Sequence, residues 1–222
     1  MCGRYALFTI DLLPKNLSWT PRYNIAPSQK APVISKNGIA LMDWGFSSHS
    51  KWIINARAET VEEKAMFKKH FLSDRRCVIP ANGFFEWSQT GKKKQAYWIT
   101  PPNSEELFYF AGIYNELSQF IILTIPAVSP IHSIHHRMPL IFRSQEEQAR
   151  WFSSGYDAHR IILSHLKNNE QHQQSDLVAK QILDTVNNPT NDCPEILTVQ
   201  TATLLEEPSP QYPDGNIQGE LF

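Results

Sequence analysis

The first residues of the chain place a nucleophilic side chain next to a potential free amine. Cys2 follows Met1, and a small side chain at this position favours removal of the initiating methionine. Cys2 would then carry an amine and a thiol two carbons apart. An aldehyde can form an imine with the amine, and the sulfur can close onto the imine carbon to give a thiazolidine ring. An α-amino group, with a pKa of about 7.7–8.0, is also uncharged more often than a lysine, with a pKa of about 10.4. The alternative is that Cys2 is incidental, and these residues alone do not decide between the two.

Glu86 is a candidate general acid or base. It lies among Phe84, Phe85 and Trp87, and burial among apolar side chains raises the pKa of a carboxyl group towards neutrality. A carboxyl group with such a pKa suits proton transfer near pH 7. The alternative is that strand alternation points Glu86 to solvent, on the face opposite Phe85 and Trp87.

The histidines His135 and His136 lie in a loop just before Arg137, and one of them could shuttle protons. The alternative is an ordinary surface role. No carboxylate or cysteine stands at metal-ligand spacing from this pair, and Cys77 and Cys193 show no such spacing either. We therefore expect no metal site and no cofactor.

An amide and a guanidinium alternate at an apparent strand end, at Asn55 and Arg57, so their side chains face the same way. That pairing suits the positioning of a substrate and its phosphate, or alternatively a capping network at the following helix. Trp87 could stack a nucleobase, because any aromatic face accepts any base. Core packing is the alternative for this tryptophan.

The net charge of −1 hides a strong asymmetry along the 222 residues. Residues 1–100 contain 15 Lys and Arg against 7 Asp and Glu, whereas residues 101–222 contain 6 against 15. The basic half suggests contact with phosphates, with the acidic half turned away. The alternative, which charge alone favours equally, is that the halves fold together and neutralise each other.

No apolar run is long enough to span a membrane, and the N-terminal residues lack the pattern of a secretory signal. The three cysteines are sparse and odd in number, which favours a reducing cytoplasmic setting.

Capping boxes predict a helix at about 60–72, from Thr60 and Glu63, and another at about 144–154, from Ser144 and Glu147. Gly155 is the expected stop of the second helix. Further helices are expected at 157–167 and 175–186, and strands at 31–46, 77–79, 84–87, 96–100, 107–114, 120–124 and 196–204. Loops are expected at 21–30, 47–52, 126–139 and 187–194. Strands and helices without βαβ alternation predict an α+β fold: a single domain with a curled, mainly antiparallel sheet, a barrel-like core and flanking helices. We expect this domain to span residues 1–205, followed by a flexible tail at 206–222.

Seven short motifs, in order from residue 1 to about 200, resemble the SRAP (SOS response-associated peptidase) family. They are Met1-Cys2-Gly3-Arg4, Arg22-Tyr23-Asn24-Ile25-Ala26-Pro27, Asn55-Ala56-Arg57-Ala58-Glu59-Thr60, Arg75-Arg76-Cys77, Asn82-Gly83-Phe84-Phe85-Glu86-Trp87, Ile134-His135-His136-Arg137-Met138-Pro139-Leu140 and Val186-Asn187-Asn188-Pro189. The resemblance implies a sensor of abasic sites in single-stranded DNA. Such a sensor protects these sites in the DNA damage response by a thiazolidine DNA–protein crosslink through its N-terminal cysteine.

The same resemblance assigns roles to particular residues. Cys2 is the nucleophile, and Asn55 orients it at the sugar C1′. Glu86 acts as the acid and base in imine formation and in crosslink reversal, and His135 assists opening of the deoxyribose ring. The implied DNA-binding residues are Arg4, Pro27, Arg57, Trp87, Thr124 and Arg137. The resemblance also implies imine-based lyase chemistry and the peptidase (hydrolase) activity of the family label. We expect a cytoplasmic monomer that associates with the nucleoid when bound to DNA.

Two positions depart from the family pattern. The segment between Trp44 and Asn55 is short and lacks the proline- and tryptophan-rich insertion common there, so DNA contacts from this segment are in question. His136 stands where an acidic residue is usual, which can alter how His135 is held.

The tail suggests a partner of its own. Gln218-Gly219-Glu220-Leu221-Phe222 resembles the pentapeptide by which bacterial proteins bind the replication sliding clamp.

Two other functions remain open beside abasic-site crosslinking. One is an N-terminal-cysteine hydrolase, an amidase or self-processing peptidase. The other is a non-catalytic adaptor that binds DNA and the clamp.

Overall fold

The computed structural model describes residues 2–200 except positions 12, 16, 49–50, 91–92 and 171–175. The tail at 206–222 and its clamp-like pentapeptide therefore lie outside the described residues. The described strands are, in chain order, β1 Tyr5–Leu7, β2 Arg22–Ile25, β3 Lys30–Ser35, β4 Gly38–Trp44, β5 Phe46–Ser48, β6 Lys51–Ile53, β7 Asn55–Arg57, β8 Arg76–Ala81, β9 Gly83–Thr90, β10 Lys93–Thr100, β11 Phe108–Tyr114, β12 Gln119–Pro126, β13 Arg137–Pro139, β14 Ile141–Phe142 and β15 Val178–Gln181. The α-helices are α1 Ala65–Leu72, α2 Gln145–Ser153 and α3 Gly155–Glu170.

The larger sheet closes on itself into a barrel. Its strands run in the order β13-β12-β4-β3-β8-β11-β14, and a further pairing of β12 with β11 completes the ring. The pairings of β12 with β4 and with β7 are parallel, and the other pairings of this sheet are antiparallel. The predicted α+β fold with a curled, mainly antiparallel, barrel-like core is thus confirmed.

A second sheet packs against the barrel, with the strand order β15-β10-β9-β1-β2. Successive side chains along β9 point to opposite faces of the sheet. Phe84 belongs to the main core, together with Tyr5, whereas Phe85 belongs to a smaller cluster on the other face with Trp98. Within the main core, the ring of Tyr5 packs edge-on against Trp44 at a centroid distance of 5.1 Å.

Only one of the two predicted capping boxes forms. The Ser144 hydroxyl accepts a hydrogen bond from the Glu147 N–H, and the Glu147 carboxylate accepts one from the Ser144 N–H, so α2 begins as predicted. The prediction for Thr60 and Glu63 was wrong. Residues Ala58–Thr60 form a 3-10 helix, and α1 begins at Ala65 without a side-chain cap.

Several expected elements differ in type from those observed. Residues 22–25, expected as a loop, form β2, and the strands β5 and β6 pair with each other where a loop was expected at 47–52. The helix expected at 175–186 was wrong: β15 pairs with β10 there, and Asp184–Asn187 is a 3-10 helix. Residues Pro194–Leu197 are likewise a 3-10 helix, not the start of a strand. Gly155, the expected stop of the second helix, is the first residue of α3.

Among the described residues, no helix is long and apolar enough to cross a membrane. All three cysteines are free thiols, with Cys2 and Cys77 buried and Cys193 exposed.

Candidate functional site

Cys2 lies against the barrel, and a side chain from strand β7 holds its main chain. The Asn55 side-chain amide, at the start of β7, donates to the Cys2 carbonyl at 2.8 Å. The Asn55 carbonyl oxygen is buried and has no hydrogen-bond partner within the described part of the chain. Asn55 occupies this position because β7 pairs in parallel with β12, with Asn55 opposite Ile122. The amide therefore fixes Cys2 and retains one unused acceptor.

Glu86 lies on the inner face of β9, not on the solvent face. Its exposed fraction is 2%, and it shares the inner face with Phe84 of the core. Burial raises the pKa of Glu86 to about 7, while the positive charge of the chain's N-terminus and a hydrogen bond from the Trp87 N–H act in the opposite direction. Burial also raises the pKa of the Cys2 thiol, and the Glu86 charge raises it further. Glu86 is therefore a neighbour of Cys2, with a pKa suited to proton transfer near neutrality.

His135 is half-buried and lies near the N-terminus of the chain. The Arg137 N–H donates to His135 Nδ1 at 3.0 Å, which places the proton of the neutral ring on Nε2. In the charged ring, Nδ1 could donate to the Arg137 carbonyl at 3.2 Å. Burial lowers the pKa of His135, and the N-terminal charge lowers it further. The His136 ring stacks on His135 at a centroid distance of 4.4 Å.

Asn55 of β7 and Glu86 of β9 lie next to Cys2. His135, from the loop before β13, lies near enough to the chain's N-terminus for that charge to lower its pKa. Within the described residues, no group of three or more His, Cys, Asp or Glu side chains could hold a metal ion. The arrangement offers a thiol, an amide that orients the main chain, a near-neutral carboxyl group and an imidazole. That set can drive proton-coupled addition to a carbonyl carbon.

The expected DNA-binding residues fall into two groups by accessibility. Arg57 is exposed, while Pro27 and Trp87 are half-buried. Thr124 and Arg137 are buried. Arg137 makes a two-point ion pair with Glu59 at 2.5 and 2.8 Å and donates to the Thr124 carbonyl at 2.5 Å.

The half-buried Arg4 is held by neutral acceptors. Its Nη1 donates to Asn24 Oδ1 at 2.7 Å and to the Val186 carbonyl at 2.9 Å, and it forms no ion pair with any described residue. Val186 belongs to residues 184–192, here named the strap. Trp87 also reaches the strap, since its Nε1 donates to Asn187 Oδ1 at 2.7 Å.

The residues that sequence reasoning missed are the partners of the expected ones. Asn24, Glu59 and Asn187 all stood inside the seven motifs, yet none was assigned a role. Their signal was a polar residue type inside a short motif that already held a candidate. The pairings span 20, 78 and 100 positions of sequence, so no local pattern could reveal them.

Comparison with known proteins identifies the family to which this fold and this group of side chains belong. The model of the SOS response associated peptidase (SRAP) family matches residues 1–189. The chain therefore belongs to the SRAP family.

Relatives in this family carry names that describe a DNA lesion. The chain is 32% identical to the abasic site processing protein YoqW of Bacillus subtilis (strain 168), over 89% of this chain and 99% of that protein. It is 24% identical to the abasic site processing protein HMCES of Xenopus tropicalis, over 86% of this chain and 70% of that protein. A crystal structure of a Bacteroides thetaiotaomicron protein shares the fold, with a TM-score of 0.72 and 23% identity over 90% of this chain and 100% of that one.

Proposed function

We propose that this protein is an abasic-site processing protein of the DNA damage response. It would act on single-stranded DNA and form a covalent thiazolidine crosslink through Cys2 once Met1 has been removed. The observation that carries this proposal is the anchoring of Cys2 by Asn55 at 2.8 Å, next to a buried carboxyl group with a pKa of about 7. An abasic site supplies the aldehyde, and the names of the protein's relatives point to the same lesion.

The chemistry needs two bonds to the same carbon. The Cys2 amine adds to the aldehyde carbon C1′ of the ring-opened deoxyribose, and loss of water gives an imine. The Cys2 sulfur then adds to the imine carbon, and the proton of the thiol passes to the nitrogen. Glu86 can donate the proton that removes the hydroxyl group as water, and it can return a proton during reversal.

His135 fits the earlier step of ring opening. The sugar opens when a proton leaves the C1′ hydroxyl group and another reaches the ring oxygen. Because the pKa of His135 is lowered, more of its imidazole is neutral at pH 7 and able to accept the first proton. His135→Ala should therefore slow crosslink formation, and Glu86→Gln should slow reversal.

DNA binding is assigned to Arg4, Pro27, Arg57, Trp87, Thr124 and Arg137. Arg57 is the exposed cation closest in sequence to Asn55, and Trp87, the residue after Glu86, offers an aromatic surface. Arg137 and Thr124 would act from below the surface, since Arg137 is tied to Glu59. We propose that the protein works as a monomer in the cytoplasm, on nucleoid DNA.

The deciding experiment incubates the protein with single-stranded DNA that contains one abasic site. We expect a heat-stable adduct of protein and DNA that is lost in Cys2→Ala. Cys193→Ala is the matched control, because Cys193 is a free and exposed thiol elsewhere in the chain, and it should crosslink as the wild type does. No adduct with the wild type would instead favour the N-terminal-cysteine hydrolase or the non-catalytic adaptor. Strand cleavage without a stable adduct would favour the lyase activity alone.

A second candidate function is binding to a replication sliding clamp. It is favoured by the tail sequence from Gln218 to Phe222, in which a glutamine precedes a Leu-Phe pair. We expect a pull-down with purified clamp to lose the protein when Leu221→Ala and Phe222→Ala are combined. Equal recovery of the variant would end this proposal.

A chain cut after residue 205 should keep its crosslinking activity, which tests the proposed division into a domain and a tail.

A further inference from the structure

We propose that Asn187 is a positioning residue for DNA binding, which fixes the Trp87 indole so that the ring meets DNA by its face. This inference rests on the proposed function, in that Trp87 contacts single-stranded DNA. It adds a residue with no assigned role and specifies the chemistry of the contact as stacking on a nucleobase.

The contact between the two side chains uses the only polar atom of the indole. Trp87 Nε1 donates to Asn187 Oδ1 at 2.7 Å, and an indole N–H can donate only one hydrogen bond. Trp87 therefore has no donor left for a phosphate while this bond is made. The flat ring remains for contact, and the half-buried Trp87 packs by part of its surface against the smaller core cluster.

The strap that presents Asn187 is itself anchored at several points. The Asn24 side-chain amide donates to the carbonyls of Asn188 at 3.1 Å and Asn191 at 2.7 Å. The Asp192 carboxylate accepts from the N–H groups of Tyr23 at 2.5 Å and Asn24 at 2.8 Å. Because these bonds are independent of Asn187, its side chain projects from a fixed segment and can hold the indole in one orientation before DNA arrives. Such preorganisation lowers the entropy cost of binding.

Position and chemistry point to a base as the group that meets this ring. Trp87 follows Glu86 in β9, and its backbone N–H donates to the Glu86 carboxylate. The indole therefore belongs to the residue next to a proposed catalytic side chain, on the opposite face of the strand with the smaller core cluster. A fixed aromatic face stacks on any base. That tolerance suits a lesion with no coding base of its own and no fixed sequence around it.

The test measures equilibrium binding to single-stranded DNA that lacks an abasic site, by fluorescence anisotropy. Asn187→Ala should weaken binding by about threefold to tenfold, as expected when one hydrogen bond no longer fixes the ring. Trp87→Phe removes the indole donor, so adding Asn187→Ala to Trp87→Phe should cause no further loss. Asn188→Ala is the matched control: it removes a hydrogen bond inside the strap, to the Thr190 N–H, and should bind as the wild type does.

Crosslinking supplies an independent readout. With DNA that contains an abasic site, Asn187→Ala should raise the DNA concentration at half-maximal rate and leave the rate at saturation unchanged. The inference is overturned if Asn187→Ala binds like the wild type, if it weakens binding equally in the Trp87→Phe background, or if Asn188→Ala has the same effect. Because the binding assay contains no aldehyde, it can support the role of Asn187 even if no crosslink ever forms.

Discussion

The pKa of Glu86 is decided by which face of β9 it occupies. The sequence predicted the alternation of Glu86 with Phe85 and Trp87, but alternation does not say which face is inner. The answer comes from the pairing of β9 with β1, which places Phe84 opposite Tyr5 in the core. Glu86 shares that face and lies opposite Tyr97 of β10. The candidate residues could thus be predicted from sequence, whereas their burial and partners required the register of distant strands.

The raised pKa of Glu86 predicts a stability that falls as pH rises. The folded chain holds this proton up to a pKa of about 7, against about 4.5 for an ordinary glutamate. The stability from this group is therefore fully present below pH 4.5 and is lost as pH rises through 7. Glu86→Gln should remove this dependence and should raise the unfolding free energy at pH 8 by about 2–3 kcal/mol. Denaturant titrations of both proteins at pH 4.5, 6 and 8 measure it, and parallel curves would contradict the burial of a titrating carboxyl group.

Arg57 should contribute to DNA affinity as an exposed cation. Its guanidinium is exposed, and it forms no ion pair with any described residue. Arg57→Ala should weaken binding to single-stranded DNA and should reduce the slope of log affinity against log salt by about 0.7. The measurement is anisotropy over a range of salt concentrations. Arg150→Ala, which removes an exposed arginine from α2, is the control, and an equal change in its slope would refute a specific contact by Arg57.

At the scale of elements, local signals gave mixed results and strand pairings were missed. The Ser144 capping box forms, with both bonds between residues three positions apart, whereas the Thr60 pattern with the same spacing forms no cap. The loop predicted from Pro21 and Pro27 holds β2 because the two prolines stand just outside the strand, where neither breaks its ladder. The failed helix at 175–186 contains β15, whose existence depends on β10, some 80 residues earlier in the chain.

The two capping-box sequences predict different costs for the same substitution. Ser144→Ala removes a hydrogen bond that the structure contains and should lower the unfolding free energy by about 1 kcal/mol. Thr60→Ala is the matched control, because its capping box does not form, and it should change stability by less than about 0.5 kcal/mol. Urea denaturation at pH 7 compares them, and equal costs would mean that the Ser144 bond contributes nothing specific.

At the scale of the whole molecule, the basic and acidic halves of the chain interlock. Arg22 and Lys69 of the basic half pair with Asp192 and Glu116 of the acidic half. Arg75 similarly faces Glu116 at 3.7 Å. These pairings favour the alternative in which the halves neutralise each other over much of the fold. The proposed phosphate contacts would then fall to cations without a carboxylate partner among the described residues, such as Arg4 and Arg57.

Closure of the barrel depends on a position with no side chain. A Cβ on Gly112 in β11 would lie 2.6 Å from Ile79 Cδ1 and 2.8 Å from the Ile121 carbonyl, on the two neighbouring strands. Gly112→Ala should therefore force these strands apart and lower the unfolding free energy by about 2–3 kcal/mol. Gly155→Ala, where the nearest atom lies at 3.4 Å, should have little effect. Thermal unfolding compares the two, and equal midpoints would contradict the tight packing at β11.

The hydrogen bond between Arg4 and the Val186 carbonyl joins a residue made at the start of synthesis to one made much later. On the ribosome, Cys2 emerges more than 180 residues before the strap. The Arg4 guanidinium therefore lacks the Val186 carbonyl acceptor throughout that interval. A translation product that stops short of Val186 would retain the aminothiol but lack the supports of Arg4 and Trp87. Under the proposed function, such a fragment could meet aldehydes before two of the side chains assigned to DNA binding are held in place. Completion of the strap would then be the step that brings the aminothiol and the full DNA-binding set together.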